Sequence, residues 1–126
     1  MTPLALLMKK EIEQISPQAT LREAARRIRD KRIGSLFVGE GDRQIGVISE
    51  ADFVRRALAE GLDPDSTRVE SIMSRPIISI DIDKNAKEAN DLMATKGVRH
   101  LAITDRGKIV GIISVRDLVI CFKNRL

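Results

Sequence analysis

Two short phrases in this chain place a serine three residues before an aspartate, GVISEADF and GIISVRDL. Ser49 and Asp52 belong to the first phrase, and Ser114 and Asp117 follow at the same places 65 residues later. A serine with an acidic residue three positions on satisfies backbone N–H groups at the start of a helix. A helix start also carries partial positive charge, which suits a phosphate. The repeated phrase therefore predicts two helix starts and two candidate anion sites.

The charges around the two phrases differ. Arg116 lies inside the second phrase, and Arg99 and His100 precede it. The first copy has Ser35 in the place of His100, and its phrase contains Glu50. Guanidinium groups bind phosphate through paired hydrogen bonds, whereas a carboxylate repels it. We therefore expect a phosphate-bearing ligand to bind the second copy, and to bind the first more weakly or not at all.

Catalytic and metal-binding patterns are missing from the sequence. The chain has one histidine and one cysteine, and it contains neither a metalloprotease helix motif nor a phosphate-binding glycine loop. Cys121 lies in the apolar run LVICF, where we expect it to be a core residue. Metal binding by His100 would need further ligands at suitable spacing. We predict a protein that is not an enzyme and holds neither a metal nor a cofactor.

The composition is typical of a soluble globular protein. Of the 126 residues 43% are hydrophobic and only 2% are aromatic, and the net charge is +4. We expect a cytoplasmic protein, because no apolar run could cross a bilayer and no signal-peptide pattern is seen. Nucleic acid is not the expected partner, since there is no basic tail and no aromatic stacking platform. Arg22, Arg26 and Arg29 share one helix face, which we interpret as solvated; a patch for nucleic acid or an acidic partner is the alternative.

The spacing of 65 residues extends well beyond the two phrases. Without a gap, it aligns residues 8–54 with residues 73–119, and identical or similar residues recur along this length. Among the identical pairs, Gly111 matches Gly46, and we expect Gly111 to let the backbone run close to its neighbours. A gapless register of this length indicates an internal duplication.

Each copy has the same predicted elements, in the order β-α-β-β-α. A short strand, around 11–15 and 77–82, leads into a helix, and a hairpin and a second helix follow. Neither unit is large enough to bury its own sheet face, so the two should pack together. We predict an α/β (α+β) fold of two such units, residues 1–62 and 63–126, related by a pseudo-two-fold axis.

The first helix of each copy has recognisable signals at both ends. Its start is a capping box, in which a short polar side chain and a glutamate three residues on satisfy backbone N–H groups. Its end is marked by glycine, which best tolerates the left-handed conformation there. The capping boxes are Thr20 with Glu23 and Asn85 with Glu88, and the glycines are Gly34 and Gly97.

The stretch VESIMSRPIISIDIDKNAKEANDLMATKGVRHLAITDRGKIVGIISVRDL, residues 69–118, resembles the cystathionine-β-synthase (CBS) domain family, and residues 6–54 resemble it more loosely. The resemblance implies a tandem CBS pair, or Bateman module. Such modules commonly dimerise and bind adenosyl ligands, such as AMP, ADP, ATP or S-adenosylmethionine, in clefts between the two motifs. They usually regulate another activity. For this chain the resemblance implies a stand-alone regulatory homodimer that signals to a separate partner.

The resemblance also implies roles for residues around the second phrase. Asp117 would accept hydrogen bonds from ribose hydroxyls, and Ser114 would bind a phosphate. Arg116, Arg99 and His100 would add donors and charge for the phosphates. The full set of expected ligand-binding residues is Ser114, Arg116, Asp117, Arg99, His100, Pro76, Ile77, Ser49, Asp52 and Ser35.

Two departures from the family pattern bear on these sites. The family often has proline in the first hairpin strand, where this chain has Phe37 and Ala102. The first copy also has KKE at 9–11, where the second has SRP at 74–76. We expect this second departure to weaken ligand binding at the first site more than it alters the fold.

Two hypotheses of function follow from the sequence. The first is an adenine-nucleotide sensor that acts through a homodimer. The second is a scaffold, in which the CBS pair docks a partner protein or nucleic acid without a ligand. Apolar stripes on the second helices, LVICF in one copy and Phe53, Val54 and Ala57 in the other, need burial beyond one small unit and favour a homodimer.

Overall fold

Two three-stranded sheets with helices packed on them form the framework of the protein, described over residues 2–123 by a computed structural model. The predicted α/β class is confirmed. The elements in chain order are α1 (Leu4–Leu7), β1 (Gln14–Ile15), α2 (Leu21–Lys31), β2 (Ser35–Glu40), β3 (Arg43–Ser49), α3 (Glu50–Asp52), a π-helical segment (Phe53–Leu58), a short 3₁₀ helix (Val69–Ser71), β4 (Ser79–Asp81), α4 (Ala86–Lys96), β5 (His100–Asp105), β6 (Lys108–Ser114) and α5 (Val115–Lys123).

The two sheets have the same topology and the same register. In each, the first strand runs parallel to the second, and the second pairs with the third as an antiparallel hairpin. Ser35 lies opposite Ser49 in one hairpin, and His100 lies opposite Ser114 in the other. Both hairpins also have an irregularity at the same place, after Val38 and after Ile103. The predicted β-α-β-β-α order is thus confirmed in both copies.

Each sheet has its own apolar core. One core gathers residues from β1, α2, β2 and β3 together with residues from 69–73. The other gathers residues from β4, α4, β5, β6 and α5 together with Leu4. Cys121 is buried in this second core, as predicted. No helix among residues 2–123 is both long and apolar enough to span a membrane.

The compact units of the structure do not coincide with the halves of the sequence. The predicted division, at 62 and 63, separates the two copies of the repeat. One compact unit instead contains Glu13–Ile77, and the other combines residues 2–12 with residues 78–123. We call the first the Asp52 unit and the second the Asp117 unit.

Backbone hydrogen bonds explain this exchange of segments. In the Asp117 unit, Lys9 N–H donates to the Ile112 carbonyl at 2.9 Å and Ile112 N–H donates back to the Lys9 carbonyl at 3.0 Å. In the Asp52 unit, Val47 and Ser74 make the same reciprocal pair at 3.0 and 2.8 Å. The segment that precedes each copy therefore adds to the β3 or β6 edge of the other copy.

Glycine is required at both points of contact. A Cβ atom at Gly46 would lie 2.9 Å from the Ser74 carbonyl oxygen, and one at Gly111 would lie 2.8 Å from the Lys9 carbonyl oxygen. Both distances are shorter than carbon–oxygen contact allows. The expected close approach at Gly111 is confirmed, and Gly46 has the same role.

The ends of the first helices follow most of the predictions. Thr20 and Glu23 form the complete capping box, which is confirmed. The Asn85 side chain accepts from the Glu88 N–H at 2.9 Å, but the Glu88 carboxylate accepts from the Asn85 side-chain amide instead of its backbone.

The left-handed residue at the end of the first helix was predicted correctly in only one copy. Gly97 ends α4 with φ 66°, as predicted. Gly34 was the wrong choice for α2, because that helix ends at Arg32, with φ 54°. The register of 65 residues pairs Gly97 with Arg32, so a bulky residue takes the left-handed conformation in the first copy.

Candidate functional site

The start of α5 holds the serine and the aspartate of the second phrase. The Asp117 carboxylate, through Oδ2, accepts from the Ser114 N–H at 2.9 Å and from the Ser114 hydroxyl at 3.0 Å. The Asp117 N–H donates to the Ser114 Oγ at 3.2 Å. The predicted helix cap is therefore confirmed. The other carboxylate oxygen of Asp117, Oδ1, has no hydrogen-bond partner among residues 2–123.

Basic residues of β5 and α5 lie close to this cap. The Val115 N–H donates to the Arg99 carbonyl at 2.9 Å, which fixes the end of β5 against the start of α5. His100 is half-buried opposite Ser114 on the neighbouring strand. Arg116 is exposed in the first turn of α5. The structure thus brings the five expected residues of the second copy to one end of the β5–β6 hairpin.

The start of α3 repeats this arrangement in the Asp52 unit. The Asp52 carboxylate, through Oδ2, accepts from the Ser49 N–H at 2.9 Å and from its hydroxyl at 3.2 Å. The Glu50 N–H donates to the Gly34 carbonyl at 3.1 Å, in the same way as Val115 does to Arg99. Ser35 is buried opposite Ser49. The predicted helix cap is confirmed here as well.

The second oxygen of Asp52 is in different surroundings from that of Asp117. Asp52 Oδ1 accepts from the Ser74 hydroxyl at 2.9 Å and lies 3.7 Å from the Arg56 Nε. Arg56 also donates to the carbonyls of Ile72 and Met73, at 3.3 and 3.2 Å. We call Asp52, Arg56 and Ser74 the Asp52 cluster. Its carboxylate is 7% exposed, and both of its oxygens are engaged.

The sequence did not reveal the Asp52 cluster. Ser74 and Arg56 lie 22 and 4 residues from Asp52, and no motif links the three. The register does hold a signal, because it pairs Ser74 with Lys9 and Arg56 with Cys121. These two chemical changes distinguish the copies, but their location depends on the exchange of segments.

The exchange also moves residues that the sequence had assigned by proximity. Pro76 and Ile77 belong to the Asp52 unit, with Ser35, Ser49 and Asp52, and not to the unit that holds Ser114. The KKE segment at 9–11 belongs to the Asp117 unit. The expectation that this departure affects the first site was therefore wrong, because the departing residues adjoin the second.

The arginine face of α2 is largely paired. Arg22 binds the Asp65 carboxylate through two nitrogens, and Arg29 binds Asp30 at 2.8 Å. The hydrogen bond from Arg22, and then its charge, hold the pKa of Asp65 below its ordinary value. Arg26 lies close enough to both carboxylates to lower the pKa of each. These contacts support the interpretation of a solvated face and offset much of its charge.

Metal binding finds no support in the described part of the chain. Among residues 2–123, no group of three or more histidine, cysteine, aspartate or glutamate side chains is arranged to hold an ion. The arrangement at Ser114 and Asp117 instead combines a helix start, an accepting carboxylate oxygen and nearby cations. Such a site can bind a hydroxyl-bearing anion without transforming it.

Known sequences share these features. A profile of the CBS domain matches residues 5–59 and 69–124. An uncharacterised protein of Methanopyrus kandleri is 37% identical over 113 residues, which cover 88% of this chain and 58% of the relative, so the chain spans less than two thirds of that protein. The CBS domain-containing protein YhcV of Bacillus subtilis is 30% identical over 113 residues, covering 90% of this chain and 80% of YhcV.

Solved structures agree with the sequence matches. An uncharacterised conserved protein from Pyrococcus horikoshii superposes with a TM-score of 0.88 at 31% identity, covering 98% of this chain and 94% of the other. The hexameric CBS-CP12 protein from bloom-forming cyanobacteria gives 0.86 at 25% identity, covering 94% and 71%. The two profile matches correspond to the two copies of the repeat and take in most of the chain. The chain therefore belongs to the CBS domain family and contains two CBS domains.

Proposed function

We propose that this CBS pair is a non-catalytic regulatory module that binds an adenosyl ligand at the Asp117 unit and transmits its occupancy to a separate partner. The observation that carries the proposal is the Asp117 carboxylate. Its Oδ2 caps α5, while its Oδ1 has no partner among residues 2–123. An accepting oxygen of this kind suits the hydroxyls of a ribose.

Phosphate groups would be bound by the surroundings of that carboxylate. The start of α5 presents N–H groups and a partial positive charge. Arg116 and Arg99 are exposed close to it and supply planar donors for phosphate oxygens. Among the adenosyl ligands, AMP, ADP and ATP fit this charge better than S-adenosylmethionine, whose sulfonium is a cation.

The Asp52 unit is proposed to bind such ligands weakly or not at all. Ser74 and Arg56 already engage the carboxylate oxygen that corresponds to the open one of Asp117. A ribose at this place would have to displace the Ser74 hydroxyl, and would gain only a replacement for an existing hydrogen bond. Glu50 adds a negative charge at the start of α3.

A homodimer is the proposed form of the module. Val119 and Ile120 are 56% and 52% exposed on α5, and Val54 and Leu58 are 58% and 78% exposed on the π-helical segment. Apolar side chains in such number on two helices support association with a second copy. The hexameric relative shows that one similar protein assembles further. Light scattering at tens of micromolar tests the proposal, and a monomer there would contradict it.

Calorimetric titration of AMP, ATP and S-adenosylmethionine into the wild type and single variants tests the ligand proposal. Asp117→Asn keeps an oxygen for the α5 cap but replaces the open acceptor with a donor, so we expect binding to fall roughly 10-fold or more. Asp52→Asn is the matched control and should leave nucleotide affinity unchanged. Circular dichroism would check that both variants remain folded.

Two results would contradict the proposal. If Asp52→Asn abolishes binding and Asp117→Asn does not, the two sites have been assigned the wrong way round. If the wild type binds none of the three ligands, the scaffold hypothesis is favoured, in which the pair docks a partner protein or nucleic acid without a ligand. The closed state of the Asp52 cluster is the observation that favours this second candidate.

A further inference from the structure

We propose that Lys9 determines the specificity of the Asp117 site, and that it selects ligands with phosphate over neutral or cationic adenosyl compounds. This inference rests on the proposed function and names the ligand class of the same site. It starts from the exchange of segments, which places a residue from the start of the sequence beside β6.

The backbone fixes where Lys9 lies. Lys9 and Ile112 exchange both N–H to carbonyl hydrogen bonds, so they face each other as an antiparallel pair. Directly opposed residues in such a pair project their side chains from the same face of the sheet. Ser114 is two residues beyond Ile112 on β6 and shares that face, about 7 Å along the strand. A lysine side chain is long and flexible enough to cover this distance.

The matched position in the Asp52 unit shows what lysine changes. Ser74 takes the place of Lys9 there and donates its hydroxyl to Asp52, supported by Arg56. In the Asp117 unit, Arg56 is replaced by Cys121, which is buried and carries no charge that could reach the carboxylate. The pair of differences leaves Asp117 Oδ1 without an internal donor and moves the positive charge to the segment beside β6.

Lys9 is available for a ligand. Its side chain is exposed, and it forms no ion pair with the residues that the structure describes. An ammonium group is a compact charge with three donors, which suits the terminal oxygens of a phosphate. The same charge repels the sulfonium of S-adenosylmethionine and offers nothing to the ribose or adenine of adenosine. Lys9 would therefore act on the phosphate alone.

Titrations with AMP, ATP and adenosine into wild type, Lys9→Ser and Lys10→Ser provide the test. Lys9→Ser installs the residue found at position 74. We expect it to weaken AMP and ATP roughly 10- to 100-fold and to leave adenosine within about 2-fold, since a hydrogen bond to a charged group is lost only with phosphate present. Lys10→Ser removes an adjacent exposed charge and should change all three affinities by less than about 3-fold. The discrimination between AMP and adenosine should fall in Lys9→Ser alone.

The outcomes separate this inference from the proposed function. Equal effects of Lys9→Ser and Lys10→Ser would overturn it, because the role would then belong to general surface charge. Equal losses of AMP and adenosine in Lys9→Ser would also overturn it, because the variant would have damaged the site as a whole. If the wild type binds none of the three compounds, the proposed function fails and the role of Lys9 fails with it. Because Lys9 is exposed, Lys9→Ser should remain folded, and circular dichroism would verify this.

Discussion

The carboxylates of Asp52 and Asp117 occupy matching places in the two copies of the repeat, and each caps the helix that follows it. They differ in the second oxygen. Asp52 uses it to hold Ser74 and Arg56, whereas that of Asp117 meets no donor within residues 2–123. The comparison teaches that the short phrase specifies a helix start in both copies, while residues outside the phrase decide whether a ligand can reach the carboxylate.

The largest effect is expected where both units depend on the same close approach. Gly46→Ala and Gly111→Ala should each lower the free energy of unfolding by roughly 1–3 kcal/mol, because the new methyl group would meet a backbone carbonyl. Chemical denaturation measures this loss.

The control for these variants is Gly41→Ala. Gly41 has φ 57° and open space around it, so this variant reports only the conformational cost of about 1 kcal/mol. A Gly46 or Gly111 variant no less stable than Gly41→Ala would show that its exchanged segment is not closely packed.

A smaller effect should separate the two carboxylates. Ser74→Ala is expected to cost about 1–2 kcal/mol, since the buried Asp52 carboxylate loses a donor. Lys9→Ser, at the matching position, should change stability by less than about 0.5 kcal/mol. Equilibrium unfolding in urea would compare the two variants, and equal losses would contradict the difference between a closed and an open site.

Arg32 offers a gain in stability of about 0.5–1 kcal/mol. Arg32→Gly should remove the penalty of a left-handed arginine, minus the flexibility that glycine adds to the unfolded chain. It makes the end of α2 resemble that of α4, where Gly97 stands. Thermal unfolding should show a higher midpoint for the variant. A midpoint lower than that of the wild type would show that the arginine side chain contributes contacts worth more than the backbone strain.

The smallest effect concerns pH and the exposed pair of Arg22 and Asp65. Because the folded pKa of Asp65 is lowered by its hydrogen bond with Arg22, its contribution to stability is present above the unfolded pKa and disappears as pH falls through the folded value. The difference in stability between wild type and Asp65→Asn should therefore shrink towards acid and in high salt. The matching Lys87 pairs with Asp91 on its own helix, so Asp91→Asn serves as the comparison. A difference that grows at low pH would contradict this account.

The sequence predicted the local features well. The order of elements, the Thr20 capping box and the end of α4 at Gly97 follow from periodicity and from side chains within a few residues of one another. The duplication extended these features from one copy to the other, because matching positions must serve the same backbone geometry.

The residues that distinguish the two sites could not be predicted in the same way. The contacts of Lys9 with β6 and of Ser74 with β3 are single backbone pairs, far too short to give a periodic pattern. Assigning them by position in the sequence attached KKE and Pro76 to the wrong copies. Arg32 was missed for a simpler reason: glycine was sought near the end of α2, although the register pointed to an arginine.

The exchange of segments has a consequence for how the chain acquires its structure during synthesis. The Asp52 unit is continuous, so its parts are all available once residue 77 has left the ribosome. Lys9 must wait for Ile112, 103 residues later, before its hydrogen bonds can form. Closing so long a loop is slow and costs entropy. We expect the Asp52 unit to fold first and residues 2–12 to remain unpaired until β6 emerges, so that the earliest of these segments to be made is among the last to find its place.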